Sequence, residues 1–492
     1  MNLLQLCPLL VFMGLMVGIS FYVRRQMESG NFLSHYFVGN RTLGGFVLAM
    51  TTVATYSSVS SFVGGPGMAW FIGFGWIYMA VVQVTAVFLV LGIYGKRVAL
   101  LSRKLNAVTV VDILRARYNS DALAAAAALI IVLFFAATMT AQFVGGARLF
   151  AATMDYSYEA GLALFGLIVV IYTAIGGFRA VAFTDTLCAL VMMAGIILLL
   201  YYVLDAGGGY YNIIDNITVN HSEMLEPFSG GNMPMTLYIS QWMLVGILTI
   251  ALPQSVVRGI SYKDTKGLHQ AMLIGTFVVG FMNIGINMIG ILSHGVIDEP
   301  LKTYGTVDSI IPTAIATAIP KSLVGFAIIG PLAASISTIS GLLIVASSSI
   351  IKDIFVHYRE KHKKEPLTTA NLRLISIVAT AVLGSAVFLI ALNPPSVIWI
   401  INMFAFGGLE TAFFFTLLFG LFTKWANKYG ALFATIGGAV CYCLAQGFGF
   451  KPFGLHPIVV GISVSFVFFL MGSFLIKDKE NKNLEIFFPE KQ

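Results

Sequence analysis

Charge is scarce in this 492-residue chain: Asp, Glu, Lys and Arg make up 10% of it, while 58% is hydrophobic. Soluble proteins carry about 25% charged residues. At a mean hydropathy of +0.88 the chain cannot cover itself with polar surface, so the solvent it meets is lipid. Apolar surface in such supply also excludes disorder. Cysteine is rare too, and Cys7, Cys188, Cys441 and Cys443 all lie in apolar stretches, which argues against a disulfide framework or a zinc site. A membrane enzyme would show a histidine–carboxylate cluster within its spans, but the seven histidines lie in loops or near span ends. No ring of like charges and no filter motif suggests a channel. The tail after Lys477 is too short for the output domain of a sensor. The net charge of +7 is scattered through short loops, which does not suit nucleic acid. The first apolar run lacks a basic start and a small-residue cleavage site, so it reads as a spanning helix and not as a removed signal.

A membrane span needs roughly 20 mostly apolar residues. About thirteen such runs follow one another, at 3–23, 44–71, 74–95, 122–150, 159–177, 183–204, 236–257, 269–293, 321–351, 371–392, 396–421, 429–448 and 457–476. Polar stretches at 205–235 and 294–320 are long enough for small extramembrane helices. The expectation is one all-α polytopic membrane domain. With the N-terminus outside, all but four of the 29 Lys and Arg fall on the inner side; the exceptions are Lys302, Lys321, Lys451 and the intramembrane Arg148. The 205–235 loop carries none. Basic loops stay in the cytoplasm, so the expected orientation is N-out, C-in. This accounting places Arg258 in an inner loop and leaves Arg148, Asp185 and Glu410 within spans, where a charge is functional by default.

The second span, residues 44–70, has a hydroxyl-rich centre (Thr51, Thr52, Thr55, Ser57, Ser58, Ser60 and Ser61) followed by Gly64-Gly65-Pro66-Gly67. Hydroxyls compete for backbone groups and Pro66 withdraws a donor, so a break is expected here. Five spans later Ala251-Leu252-Pro253-Gln254 interrupts the seventh span in the same way. Matching interruptions in two five-helix units point to an inverted-repeat transporter with its binding site at the breaks. In the ninth span Ala334, Ser337 and Thr338 stand at i, i+3 and i+4 and share a helical face. Sodium favours carbonyl and hydroxyl oxygens. If the second span unwinds near Ala54 and Ser57, their carbonyls complete a five-oxygen shell with the Ala334 carbonyl and the Ser337 and Thr338 hydroxyls. Spacing alone leaves the ordinary reading open, in which such hydroxyls bond back to their own helix.

At these residues, and at YFVGNRTLGG, ATYSSVSSFVGGPG, TAQFVGGARLF, YTAIGGFRAVAFTDT, VVRGISYKDTKGLH and FAFGGLE, the chain resembles the sodium/solute symporter family over roughly residues 30–475, and within it the pantothenate-transporting members. The resemblance implies a leucine-transporter-type core of two inverted five-helix repeats, at 44–204 and 236–421. The helix at 3–23 and the two at 429–476 would be peripheral, with a cytoplasmic tail at 477–492. It implies sodium-coupled uptake across the bacterial inner membrane, with no cofactor beyond co-transported sodium and no obligatory protein partner. It assigns the sodium site to the same five residues. A second ion would use Asp185 and Ser340, but Gly341 stands where that pattern has another serine. Tyr56 replaces the Asp of proline-transporting members, which weakens a proline reading. Pantothenate carries a carboxylate, two hydroxyls and an amide. The expected contacts between the breaks are Tyr56, Ser58, Gln83, Gln142, Thr249, Gln254 and Asn402. Trp242 and Trp399 read as packing aromatics.

Overall fold

A computed structural model of the chain describes residues 3–25, 32–154, 156–227, 233–297, 306–393, 398–478 and 483–489. Lys302, parts of both polar stretches and the start of the run at 396 lie outside the described residues. Among the described residues the structure is helical, and its one β feature is an isolated bridge between Leu43 and Tyr262. Eleven described helices are long and apolar enough to cross a membrane, and a twelfth candidate is a pair bent by 64°. In chain order they are α1 (Leu3–Arg25), the bent pair α2 (Gly45–Tyr56) and α3 (Ser60–Ile72), α4 (Phe74–Leu105), α5 (Asp121–Met154) and α6 (Tyr158–Ala206). Then come the single span Met235–Ser261, made of α7 (Met235–Val245) and α8 (Pro253–Ser261), and α9 (Thr265–Leu292), α10 (Val324–Ser348) and α11 (Thr369–Ala391). The last are α12 (Ile398–Phe422), α13 (Lys428–Gly447) and α14 (Pro457–Leu475).

At about 1.5 Å per residue an unbroken α6 would be more than twice the thickness of a bilayer core. It is not one helix: Gly177 has φ +63, which splits it where the sequence places the end of the fifth span. A Cβ at Gly177 would stand 2.9 Å from the Tyr36 carbonyl, so only glycine turns the chain there. The polar stretches do hold short helices, Tyr210–Asn220 and Ile310–Ala318. Other starts are set by caps written in the sequence. Asp264 accepts from the Gly267 N–H at 2.7 Å and Asn427 from the Gly430 N–H at 2.9 Å.

The centre of the molecule is α10, whose most apolar window is 100% buried, unlike that of any other candidate span. Its run of Ala, Ser, Thr and Gly lets neighbours approach closely, and α5, α6 and α2 pack against it. The Leu43–Tyr262 bridge ties the start of α2 to the end of α8, so the two interrupted spans meet at one face of the bundle.

Candidate functional site

Both interruptions are present. The first lies at Ser57 and Ser58, inside the expected hydroxyl-rich centre and ahead of Gly64–Gly67: Ser57 is extended (φ −83, ψ 93), while Ser60–Gly64 forms a π-turn that runs straight into the helical Gly65–Ile72. Pro66 stands at the start of that last segment, where the bonding ladder changes register and a missing donor is tolerated. The hydroxyl cluster makes the break instead. The second begins earlier than expected, at Gly246, continues as a 3-10 turn over Ile247–Ala251 and ends at the extended Leu252.

Side chains from intact helices support the loose ends. The Val59 N–H, free of the α2 ladder, donates to Gln142 Oε1 of α5 at 2.8 Å. Ser335 of α10 donates to the Gln142 carbonyl at 2.7 Å. The Tyr56 hydroxyl donates to the Val245 carbonyl at 2.8 Å and so links the two breaks directly.

Where α2 ends against α10, oxygens of three of the five expected residues come together. Ser337 Oγ lies 2.9 Å from the Ala54 carbonyl and 3.2 Å from the Ala334 carbonyl, donating to either. Thr338 Oγ1 and Ser57 Oγ are buried with no hydrogen-bond partner among the described residues. An unsatisfied buried hydroxyl costs about 1–3 kcal/mol, a debt that a cation among these oxygens would remove. The five residues are all at most 2% exposed. They lie at the mouth of a broken helix and on the most buried helix of the molecule. No group of three His, Cys, Asp or Glu suited to a transition metal occurs among the described residues.

The candidates for a second ion are arranged differently. Asp185 Oδ2 accepts from Thr51 Oγ1 at 2.7 Å and faces Arg258 Nη2 at 3.6 Å. Arg258 is therefore not in a cytoplasmic loop, as its polar neighbours suggest; it is 0% exposed. It donates to the carbonyls of Gln254 (2.6 Å) and Thr51 (3.3 Å) and to Thr55 Oγ1. Gly341 makes room for it, since a Cβ there would stand 3.1 Å from both Arg258 Nη2 and Thr55 Oγ1. Ser340 Oγ turns to the Ser337 carbonyl at 3.0 Å. Asp185 Oδ1 has no partner, and no bond joins Asp185 to Ser340 among the described residues.

Between the breaks lies a cavity of about 20 Å³, lined by Tyr56, Ser58, Gln83, Thr249 and Asn402 among others. Five of the seven expected contacts are thus together. Gln142 is not among them, being spent on the first break. Gln254 is not either; its carbonyl holds Arg258, and its Oε1 has no partner among the described residues. Trp399 lines the cavity and meets Trp76 edge-on at 5.3 Å, whereas Trp242 packs outside it against Tyr238. Arg148 pairs with Asp308 at 3.3 Å, away from the cavity lining. Both oxygens of the buried Glu410 lack partners among the described residues.

The sodium:solute symporter family profile matches residues 36–438. The chain belongs to the sodium:solute symporter family. Among relatives of this symporter, the sodium/pantothenate symporter of Haemophilus influenzae is 40% identical over 475 residues, covering 96% of each chain. The sodium/pantothenate symporter of Escherichia coli is 40% identical over 474 residues, covering 96% of this chain and 97% of the other. A solved Na+-coupled sialic acid symporter, substrate-bound and outward-open, superposes with a TM-score of 0.80 at 18% identity, covering 97% of this chain and 99% of that one. At that identity the fold is what is shared. It is the all-helical leucine-transporter-type fold, and the symporter is a multi-span membrane transporter, not an enzyme.

Proposed function

We propose that this symporter couples sodium entry to uptake of pantothenate across the bacterial inner membrane, with its N-terminus outside and its C-terminus in the cytoplasm. In this reading the chain spans the membrane thirteen times, with α6 crossing twice and the Met235–Ser261 segment crossing once despite its break. The two relatives that are 40% identical over 96% of this chain carry pantothenate in their names, which supports the substrate. One observation supports the ion: Ser337 Oγ bridges the carbonyls of Ala54 and Ala334, while the neighbouring residue Thr338 has a buried hydroxyl without a partner among the described residues.

Sodium held there ties α2 to α10 and favours the arrangement that receives solute, which is linkage between two sites. Each sodium moving inward gains about 2.3 kcal/mol per 100 mV, besides its concentration gradient. The pantothenate carboxylate would meet a half-helix N-terminus, and its hydroxyls and amide the polar lining. A solute site is several hundred Å³, so admission requires the lining at Trp399 and Asn402 to part. The test is uptake of labelled pantothenate into proteoliposomes, with an inward sodium gradient against the same gradient of potassium. Uptake with sodium alone, blocked by excess unlabelled pantothenate and not by proline, is the expected result. Equal uptake with potassium would remove the coupling, and block by another solute would replace the substrate.

A further inference from the structure

α12 ends at Phe422, α13 starts at Lys428 and α14 ends at Leu475, so three helix ends meet at one face of the bundle. A cavity of about 350 Å³ opens there, with Arg117, Lys424, Lys428 and Lys477 in its lining and Asp478 as its one carboxylate. Lys428 is paired with Asp478 at 2.7 Å, and Arg117 spends donors on the carbonyls of Gly420, Thr423 and Ala426. Lys424 and Lys477 are exposed and make no ion pair among the described residues. Among the described residues the mouth therefore keeps two cations with no ion-pair partner. Trp425 stacks on Phe474 at 5.1 Å beside them, 39% and 66% exposed, as aromatics do at a bilayer boundary.

Ile476 lines this cavity and also a second one, an apolar groove of about 420 Å³ between α13 and α14. Leu432, Phe433, Ile436, Phe468, Met471 and Leu475 form its walls, and no charged residue does. A basic mouth over a purely apolar furrow, at the end of lipid-facing helices, matches a molecule with an anionic head and a hydrocarbon tail. We infer that this is a specific site for an anionic phospholipid, its phosphate on Lys424 and Lys477 and an acyl chain along the α13–α14 groove. A soluble phosphate would use the mouth and leave the groove unused. A zwitterionic lipid would use the groove but bring an ammonium with its phosphate, leaving the net charge of the two lysines unbalanced.

The experiment is native mass spectrometry of the full chain released from nanodiscs of equal phosphatidylglycerol and phosphatidylcholine. Two near-surface lysines correspond to about a thirtyfold preference for the anionic lipid. The wild type should retain phosphatidylglycerol over phosphatidylcholine by about that factor, and the K424Q/K477Q variant should lose the preference while its thermal unfolding is unchanged. Millimolar glycerol phosphate should leave the bound lipid in place, because the groove holds the chain. Equal retention of both lipids by the wild type, an undiminished preference in K424Q/K477Q, or release by glycerol phosphate would each overturn the inference.

Discussion

The hydroxyl of Thr338 is buried and bonds to nothing among the described residues, and it follows in sequence the Ser337 whose Oγ meets the carbonyls of Ala54 and Ala334. If it ligates sodium, Thr338→Ala removes one oxygen, worth about 1.5–3 kcal/mol for a bond to a charge, so half-maximal uptake should need about 10–100 times more sodium. Thr338→Ser should restore most of the affinity. Sodium titration of pantothenate uptake in vesicles measures both, and an unshifted curve for Thr338→Ala would remove Thr338 from the site. Arg258 and Asp185 give a second residue-level test. Removing one partner of a buried pair costs about 3–5 kcal/mol, because the other charge is left uncompensated. Arg258→Gln should therefore lower the unfolding temperature more than Arg258→Gln with Asp185→Asn together, as scanning fluorimetry in detergent would read. Much of the ion site was legible beforehand, because i, i+3, i+4 spacing fixes which side chains share a face. The Arg258–Asp185 pair was not. Nothing local distinguishes an arginine that turns inward from one that faces water, and Ile260-Ser261-Tyr262-Lys263-Asp264 beside it reads as loop.

Among elements, the breaks show what composition does and does not reveal. Hydroxyl-rich and proline-bearing runs marked both interrupted spans, since each feature weakens the i→i−4 ladder. The exact place of the first depends on which backbone groups find partners elsewhere, and those partners (Gln142 on α5 for the Val59 N–H, Ser337 on α10 for the Ala54 carbonyl) are remote in sequence. Gln142 is accordingly better understood as the support of the first break than as a solute contact. Gln142→Leu should leave Val59 without its acceptor and reduce maximal uptake, with little change in the concentration of pantothenate at half-maximum; a rise in that concentration alone would return Gln142 to the solute site. The turn in α6 was legible only as a gap between two apolar runs. Its cause is one left-handed glycine, and Gly177→Ala should destabilise the protein by about 1–3 kcal/mol, seen as a lower unfolding temperature.

For the whole molecule, the run of apolar segments and the scarcity of charge specified a helical membrane protein, and the resemblance specified its leucine-transporter-type core. The proposed orientation rests on the basic loops, and Arg258 leaves that count because it is buried. Residues 210–220 and the loop near Glu365 should then face opposite sides. With the native cysteines replaced, Val219→Cys should react with an impermeant maleimide on intact cells, and Glu365→Cys only on inverted vesicles. The reverse pattern would invert the topology and with it the direction assigned to uptake.

Coupled transport as proposed depends on a cation held where α2 gives way against α10. Binding of radioactive sodium to the purified protein, without solute and without a gradient, measures that directly. Saturable binding in the wild type, lost in both Ser337→Ala and Thr338→Ala and kept in Lys424→Gln, is the result predicted. Undiminished binding in the two α10 variants would contradict it.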